Sequence, residues 1–173
     1  MQKPIYRKET FKEYIYKVLI NPIFLFFILF CIAILTISKS YTLSFNLTES
    51  LPNKVFLIKK HSLPKNRGDY IAFKPKNNRY YKNKTFVKIV GGLPNDTITK
   101  YSNRNVSINT ELLLKAKEKS LRGDVLEVIK FEGEIPAKNY FVYTSHKDSY
   151  DSRYEEIGLI HENEIIGTAT PIF

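Results

Sequence analysis

Phe86-Val87-Lys88-Ile89-Val90-Gly91-Gly92-Leu93-Pro94-Asn95-Asp96 is the stretch on which the reading of this chain turns. Its first five residues are β-branched or aromatic except for one lysine, and they run into a Gly-Gly-Leu-Pro break, as a strand does. With period-two alternation Lys88 shares a face with Phe86 and Val90, while Val87 and Ile89 point the other way. Both faces are apolar, so a core is expected on each. A lysine in that setting must snorkel to water, pair with a carboxylate, or give up its proton, because desolvation disfavours the ammonium. The strand alone leaves all three open; in the third case Lys88 would be a competent general base.

Other short runs of the same kind lie on either side, separated by Asn, Asp, Gly and Pro. They are Val55–Ile58, Tyr70–Phe73, Thr97–Lys100, Val106–Ile108, Val125–Ile129, Tyr140–Tyr143 and Ile165–Thr170. Tyr101-Ser102-Asn103-Arg104-Asn105 reads as a hairpin turn, and Leu112–Ser120 reads as a short helix. The expected fold is mainly β, with many short strands. At 173 residues one domain plus a terminal extension is expected.

That extension is apolar. From Val18 to Ile37 the sequence VLINPIFLFFILFCIAILTI carries no charge, and twenty helical residues match a hydrocarbon core of about 30 Å. The expectation is one transmembrane helix over 18–38, with Asn21 and Pro22 in its first turn. A cleavable secretory signal is the competing reading, but Ser38-Lys39-Ser40 offers a weak cleavage pattern and the apolar run is long for one. Residues 1–17 carry five basic against two acidic side chains, a net of +3, so by the positive-inside tendency they stay cytoplasmic and residues 39–173 lie beyond the bilayer. In a bacterium that places the chain in the inner membrane, single-pass, with an extracytoplasmic domain.

The net charge of +10 is scattered over loops such as Lys59-Lys60-His61 and Lys74-Pro75-Lys76. No basic helical stripe emerges, which argues against nucleic acid and for anionic lipid as the partner of these charges. The single cysteine, Cys31, excludes an internal disulfide and a paired-cysteine metal or redox site. His61, His146 and His161 lack metal-ligand spacing. Neither a metal nor a cofactor is expected.

Four segments in order resemble the type I signal peptidases of the serine/lysine-dyad class. They are Ser50-Leu51-Pro52 just past the apolar run, Arg67-Gly68-Asp69-Tyr70-Ile71-Ala72-Phe73, the lysine stretch Val87–Asp96, and Ser149-Tyr150-Asp151-Ser152-Arg153. The resemblance covers nearly all of the chain after residue 17. It implies a signal-peptidase-like β catalytic domain, a serine peptidase with Ser50 as nucleophile and Lys88 as general base, and an oxyanion hole formed by the Ser50 N–H and the Thr48 hydroxyl. Ser149 is implied to orient the lysine amine, and Asp151 and Arg153 to form a supporting ion pair. Asn-x-Thr-x-Ser-Leu-Pro resembles in particular the conjugative-transfer branch, the TraF type, because the general secretory enzyme carries Ser-Met-x-Pro. That branch implies a pilin precursor as substrate, trimmed or cyclised, and conjugation or secretion machinery as a partner.

The alternatives are a general signal peptidase acting on signal-peptide-bearing precursors and a non-catalytic membrane-anchored assembly factor. A self-cleaving repressor would share the dyad, but the anchor leaves no room for a DNA-binding domain. The chain departs from the family pattern in four places. Thr144-Ser145-His146 replaces the usual Gly-Asp-Asn, Asn95-Asp96 follows Leu-Pro in place of Gly-Asp, Lys54 stands for a glycine, and Phe56 for the branch's tyrosine. These bear on loop and subsite shape more than on the reaction.

Overall fold

The computed structural model describes residues 10–46, 50–76 and 84–173. It divides into two compact units, residues 1–39 and 40–173.

The first unit is helical. α1 (Phe11–Ile20) opens at Thr10, whose amide donates to the Glu13 carboxylate at 2.9 Å, satisfying one of the N–H groups that a helix start leaves free. It ends at Asn21, which is extended (φ −60°, ψ 120°). α2 then runs over Pro22–Ser40. The expected helix from Val18 is therefore divided at Asn21. A residue preceding proline is pushed out of the helical region, and proline is at home in the first helical turn, where no N–H is needed. The Asn21 side chain accepts from the Ile23 amide at 2.9 Å and caps the new start. α2 has 19 residues, no charge before Lys39 and no buried side chain, and is long and apolar enough to cross a membrane.

The second unit is built from antiparallel strands. β1 (Tyr41–Phe45), β2 (Val55–Lys60), β3 (Tyr70–Phe73), β4 (Phe86–Gly92), β5 (Thr97–Lys100), β6 (Asn105–Ile108), β7 (Leu112–Lys115), β8 (Gly133–Glu134), β9 (Asn139–Tyr143), β10 (Ile160–His161) and β11 (Ile165–Pro171) follow in order. Seven form one sheet in the order β1-β2-β11-β3-β4-β9-β10, and four form a second in the order β7-β6-β5-β8. β11 enters between β2 and β3, so the large sheet is continuous only when β11 is in place.

The alternation expected of the lysine strand is present. Phe86 and Val90 pack with Ile71, Phe73 and Val142 on one face, and Val87 and Ile89 pack with Phe56, Ile58 and Ala72 on the other. The second sheet meets the first through Phe141 of β9, which sits among Ile98, Ile108 and Ile135. Gly92 lies at this junction: a Cβ there would come within 2.6 Å of Ile135 Cδ1 and 3.1 Å of Phe141 Cβ. The second glycine of Gly91-Gly92 thus lets the two sheets approach.

Two expectations are corrected. Leu112–Ser120 is not a helix: Leu112–Lys115 is β7, paired with β6 from Ile108↔Leu112 to Asn105↔Lys115. Asn109 and Thr110 both have positive φ (50° and 62°), the backbone of a tight hairpin turn. The strand is then held because it can bury Leu114 against Val106 and Ile108, and that tertiary gain outweighs leucine's helix preference. Val125–Ile129 is not a continuous strand. It makes only the isolated bridges Lys119↔Val125 and Val128↔Tyr154, with Val125 exposed. The Tyr101–Asn105 turn is as expected, closed by Tyr101 N–H to Asn105 O at 2.9 Å.

Gly167 of β11 stands opposite Lys60, at a bulge in the pairing with β3. A Cβ there would lie 1.9 Å from the Lys59 carbonyl oxygen and 2.7 Å from its carbon. Backbone atoms of a central strand cannot yield as a flexible side chain does, so Gly167→Ala is expected to cost about 3 kcal/mol or more. Urea unfolding of the full chain in detergent measures this.

Candidate functional site

Lys88 is the one polar side chain of β4. On β3 its cross-strand partner is Ile71, and the Phe86 ring lies 5.9 Å from its Nζ. The side chain is only 5% exposed, so it does not snorkel. Its Nζ donates to Ser149 Oγ at 3.0 Å. Burial pushes the amine down to about 8, with the Asp151 charge raising it and the Arg153 charge lowering it. Of the three fates open to a lysine in this strand, the structure supports the partial loss of its proton.

Ser149, Asp151 and Arg153 lie in the loop after β9, and all three are buried. Arg153 grips Asp151 through two parallel bonds, Nε to Oδ1 and Nη2 to Oδ2, each 2.8 Å. A planar guanidinium matches a carboxylate in this way, which fixes direction as well as distance. The remaining guanidinium donors reach the carbonyls of Lys115, His146 and Ser149 at 3.1, 3.3 and 3.3 Å. The carboxylate also accepts from the amides of Thr144 and Arg153, at 3.2 Å each. Both charges are therefore heavily hydrogen-bonded, as a buried pair must be. Holding the Ser149 carbonyl also fixes the residue whose hydroxyl receives the lysine.

Ser50 occupies a turn and is half-buried. The next residue, Leu51, is buried among Phe56, Ala72 and Val87, so it packs against the residue preceding Lys88 in β4. The Asn46 side chain fastens this turn, its Nδ2 donating to the carbonyls of Leu51 at 3.2 Å and Asn53 at 3.3 Å. Its backbone N–H donates to Lys54 O at 2.8 Å. Thr48 lies outside the described residues.

The structure thus brings Lys88, Ser149, Asp151 and Arg153 into one connected group. Three contributors were missed in the sequence. Asn46 clamps the serine turn, and an asparagine at the edge of a Pro-containing loop is a signal for such a clamp. Ser152 extends β9, its Oγ accepting from Val142 N–H and its own N–H donating to Val142 O, both at 3.0 Å. Thr144 is wholly buried beside the group, and nothing in its local sequence signals that.

The sequence profile of the family described as signal peptidase, peptidase S26, matches residues 15–173. This chain belongs to that family. It is 34% identical over 113 residues to Signal peptidase I U of Bacillus subtilis strain 168, a match covering 62% of this chain and 57% of that protein. Among solved structures, a signal peptidase I from Enterococcus faecalis V583 matches at 22% identity with a TM-score of 0.41, covering 63% of this chain and 99% of the other. The mainly β, signal-peptidase-like fold expected from the sequence is the fold present.

Removing the charge of Asp151 while keeping its shape would leave the Arg153 guanidinium buried and uncompensated. Asp151→Asn is expected to lower unfolding stability by roughly 3–5 kcal/mol, read as a drop in the urea midpoint of the full chain.

Proposed function

We propose that this protein is a membrane-anchored serine endopeptidase that cleaves precursor proteins, with Ser50 as nucleophile and Lys88 as general base. The buried Lys88 amine, held by Ser149 and pushed down to about 8, carries the reading. A lysine at about 8 is neutral in roughly one molecule in ten at pH 7, against roughly one in several thousand for an ordinary lysine. Burial therefore raises the population of the competent base by more than about a hundredfold without any histidine.

In the reaction, neutral Lys88 takes the Ser50 hydroxyl proton as Oγ attacks the scissile carbonyl. The Ser50 N–H, with the Thr48 hydroxyl that family resemblance suggests, stabilises the oxyanion. The ammonium then gives its proton to the departing amine. Neutral again, Lys88 activates the water that hydrolyses the acyl-enzyme. Ser149 keeps the amine in one direction throughout, and the Asp151–Arg153 pair holds Ser149. In this reading α2 is the anchor, residues before 18 are cytoplasmic, and residues 39–173 form the extracytoplasmic catalytic domain of a bacterial inner-membrane enzyme.

For the substrate, relatedness to Signal peptidase I U favours the removal of signal peptides from exported proteins over the processing of a conjugative pilin. The pilin reading rests on Ser50-Leu51-Pro52. Leu51 is core-packed, so its identity answers to Phe56, Ala72 and Val87 as much as to any substrate.

Co-expression with secretory and pilin precursors, read by intact mass of the products, tests both levels. Ser50→Ala and Lys88→Ala are each expected to reduce cleavage by about 10³-fold or more; unchanged cleavage in either refutes the dyad. Cleavage of the pilin alone would reinstate the conjugative reading, and a product lighter than the trimmed pilin by one water would show cyclisation.

The acid limb of the reaction follows from the same amine. Lys88 must be neutral to act, so kcat/KM is expected to rise with pH and reach half its plateau near pH 8, where burial has brought the amine. An initial-rate profile on a soluble precursor peptide checks it.

A further inference from the structure

Lys88 has a second cross-strand neighbour. β4 and β9 pair with Ile89 opposite Tyr143 and Val90 opposite Val142, and continuing that register by one residue sets Lys88 opposite Thr144. The amides of Val142 and Thr144 both point away from β4, to Ser152 Oγ and to Asp151 Oδ2. Lys88 and Thr144 thus form a pair without mutual backbone bonds, the kind in which Cα atoms are about 4.5 Å apart and side chains come closest. Both lie on the face where Val90 packs with Val142.

Thr144 is 0% exposed, and among the described residues its Oγ1 is the buried side-chain polar atom with no hydrogen-bond partner. A buried hydroxyl left in that condition destabilises a fold. Valine has the same shape and would remove the penalty, so the hydroxyl calls for an explanation.

The amine supplies one. Neutral Lys88 has two N–H donors and a lone pair; one donor is on Ser149, and the lone pair is for the nucleophile's proton. Once protonated it has three donors in a site walled by Ile71, Phe86 and Val90. One stays on Ser149, one faces Ser50 Oγ or the departing amine, and the third needs an acceptor. We infer that Thr144 is a positioning residue for Lys88, its hydroxyl oxygen accepting the third N–H while the amine carries the proton taken from Ser50. The inference rests on the Ser50–Lys88 reading of the site.

Few other groups near the amine can titrate. β3 and β4 present Ile71, Phe73, Phe86 and Val90, and β9 presents Val142 and Tyr140. The loop after β9 presents Asp151 and Arg153, together with His146, whose Nδ1 accepts from the Asp148 amide.

The test uses the full chain in detergent, with Lys88 followed by NMR of its side-chain carbon and identified by its loss in Lys88→Arg. Thr144→Val is expected to lower the Lys88 titration midpoint by about one pH unit. It should move the acid limb of kcat/KM down by a similar amount, reduce the plateau by about three- to tenfold, and raise Tm above about pH 9, where the amine is neutral and the threonine hydroxyl has no partner. Thr144→Ser is expected to restore midpoint and rate. A Thr144→Val midpoint equal to wild type overturns the inference, even where Lys88→Ala abolishes cleavage. A lowered midpoint together with full cleavage by Lys88→Ala upholds the contact and removes instead the role of Lys88 as base.

Discussion

A lysine amine buried in the middle of a seven-stranded sheet is the constraint around which this molecule is arranged. A fall from 10.5 to about 8 corresponds to roughly 3 kcal/mol held against the folded state. The sign follows from linkage. Below pH 8 the amine is protonated both folded and unfolded and the penalty is complete; it is relieved as pH rises from 8 toward 10.5, where only the unfolded chain still binds the proton. The fold carries that cost at neutral pH and must offset it elsewhere, by the three apolar clusters on the faces of the sheets. Proteins commonly store such cost where chemistry is done.

Asp151 and Arg153 keep the cost from growing. Alone, either charge would move the amine far in one direction. Locked together at 2.8 Å, they act on Lys88 with opposite signs, so burial is left as the leading influence. The same guanidinium reaches Lys115 O at the end of β7, so the second sheet shares in fixing the loop that holds Ser149. The small sheet is thereby part of the site's support rather than an appendage.

Much of this was legible in the sequence where one rule acted alone. The alternation Phe86–Val90 disclosed a strand covered on both faces, and one lysine within it disclosed a strained amine. Readings failed where tertiary contacts overrode local preference. Leu112-Leu113-Leu114 favours a helix, yet two left-handed residues before it and a pocket for Leu114 made it a strand. β1, β8 and β10 carry little pattern of their own and are defined by what they pair with. Asn21 shows the reverse case, a local rule underweighted: the residue before a proline left the helix. Thr144 was invisible because burial of a single threonine after a strand depends on register with β4, which no stretch of sequence contains.

Asn46 carries a further consequence. One carboxamide bonds the carbonyls of Leu51 and Asn53 while Leu51 is sunk in the core, so the turn at Ser50 is held from both its surface and its interior side. The entropy of ordering that turn is lost once, when the chain folds, and not again at each encounter with a precursor. If Ser50 is the nucleophile, as proposed, its preparation in this way leaves the binding energy of an extended substrate free to align the scissile bond.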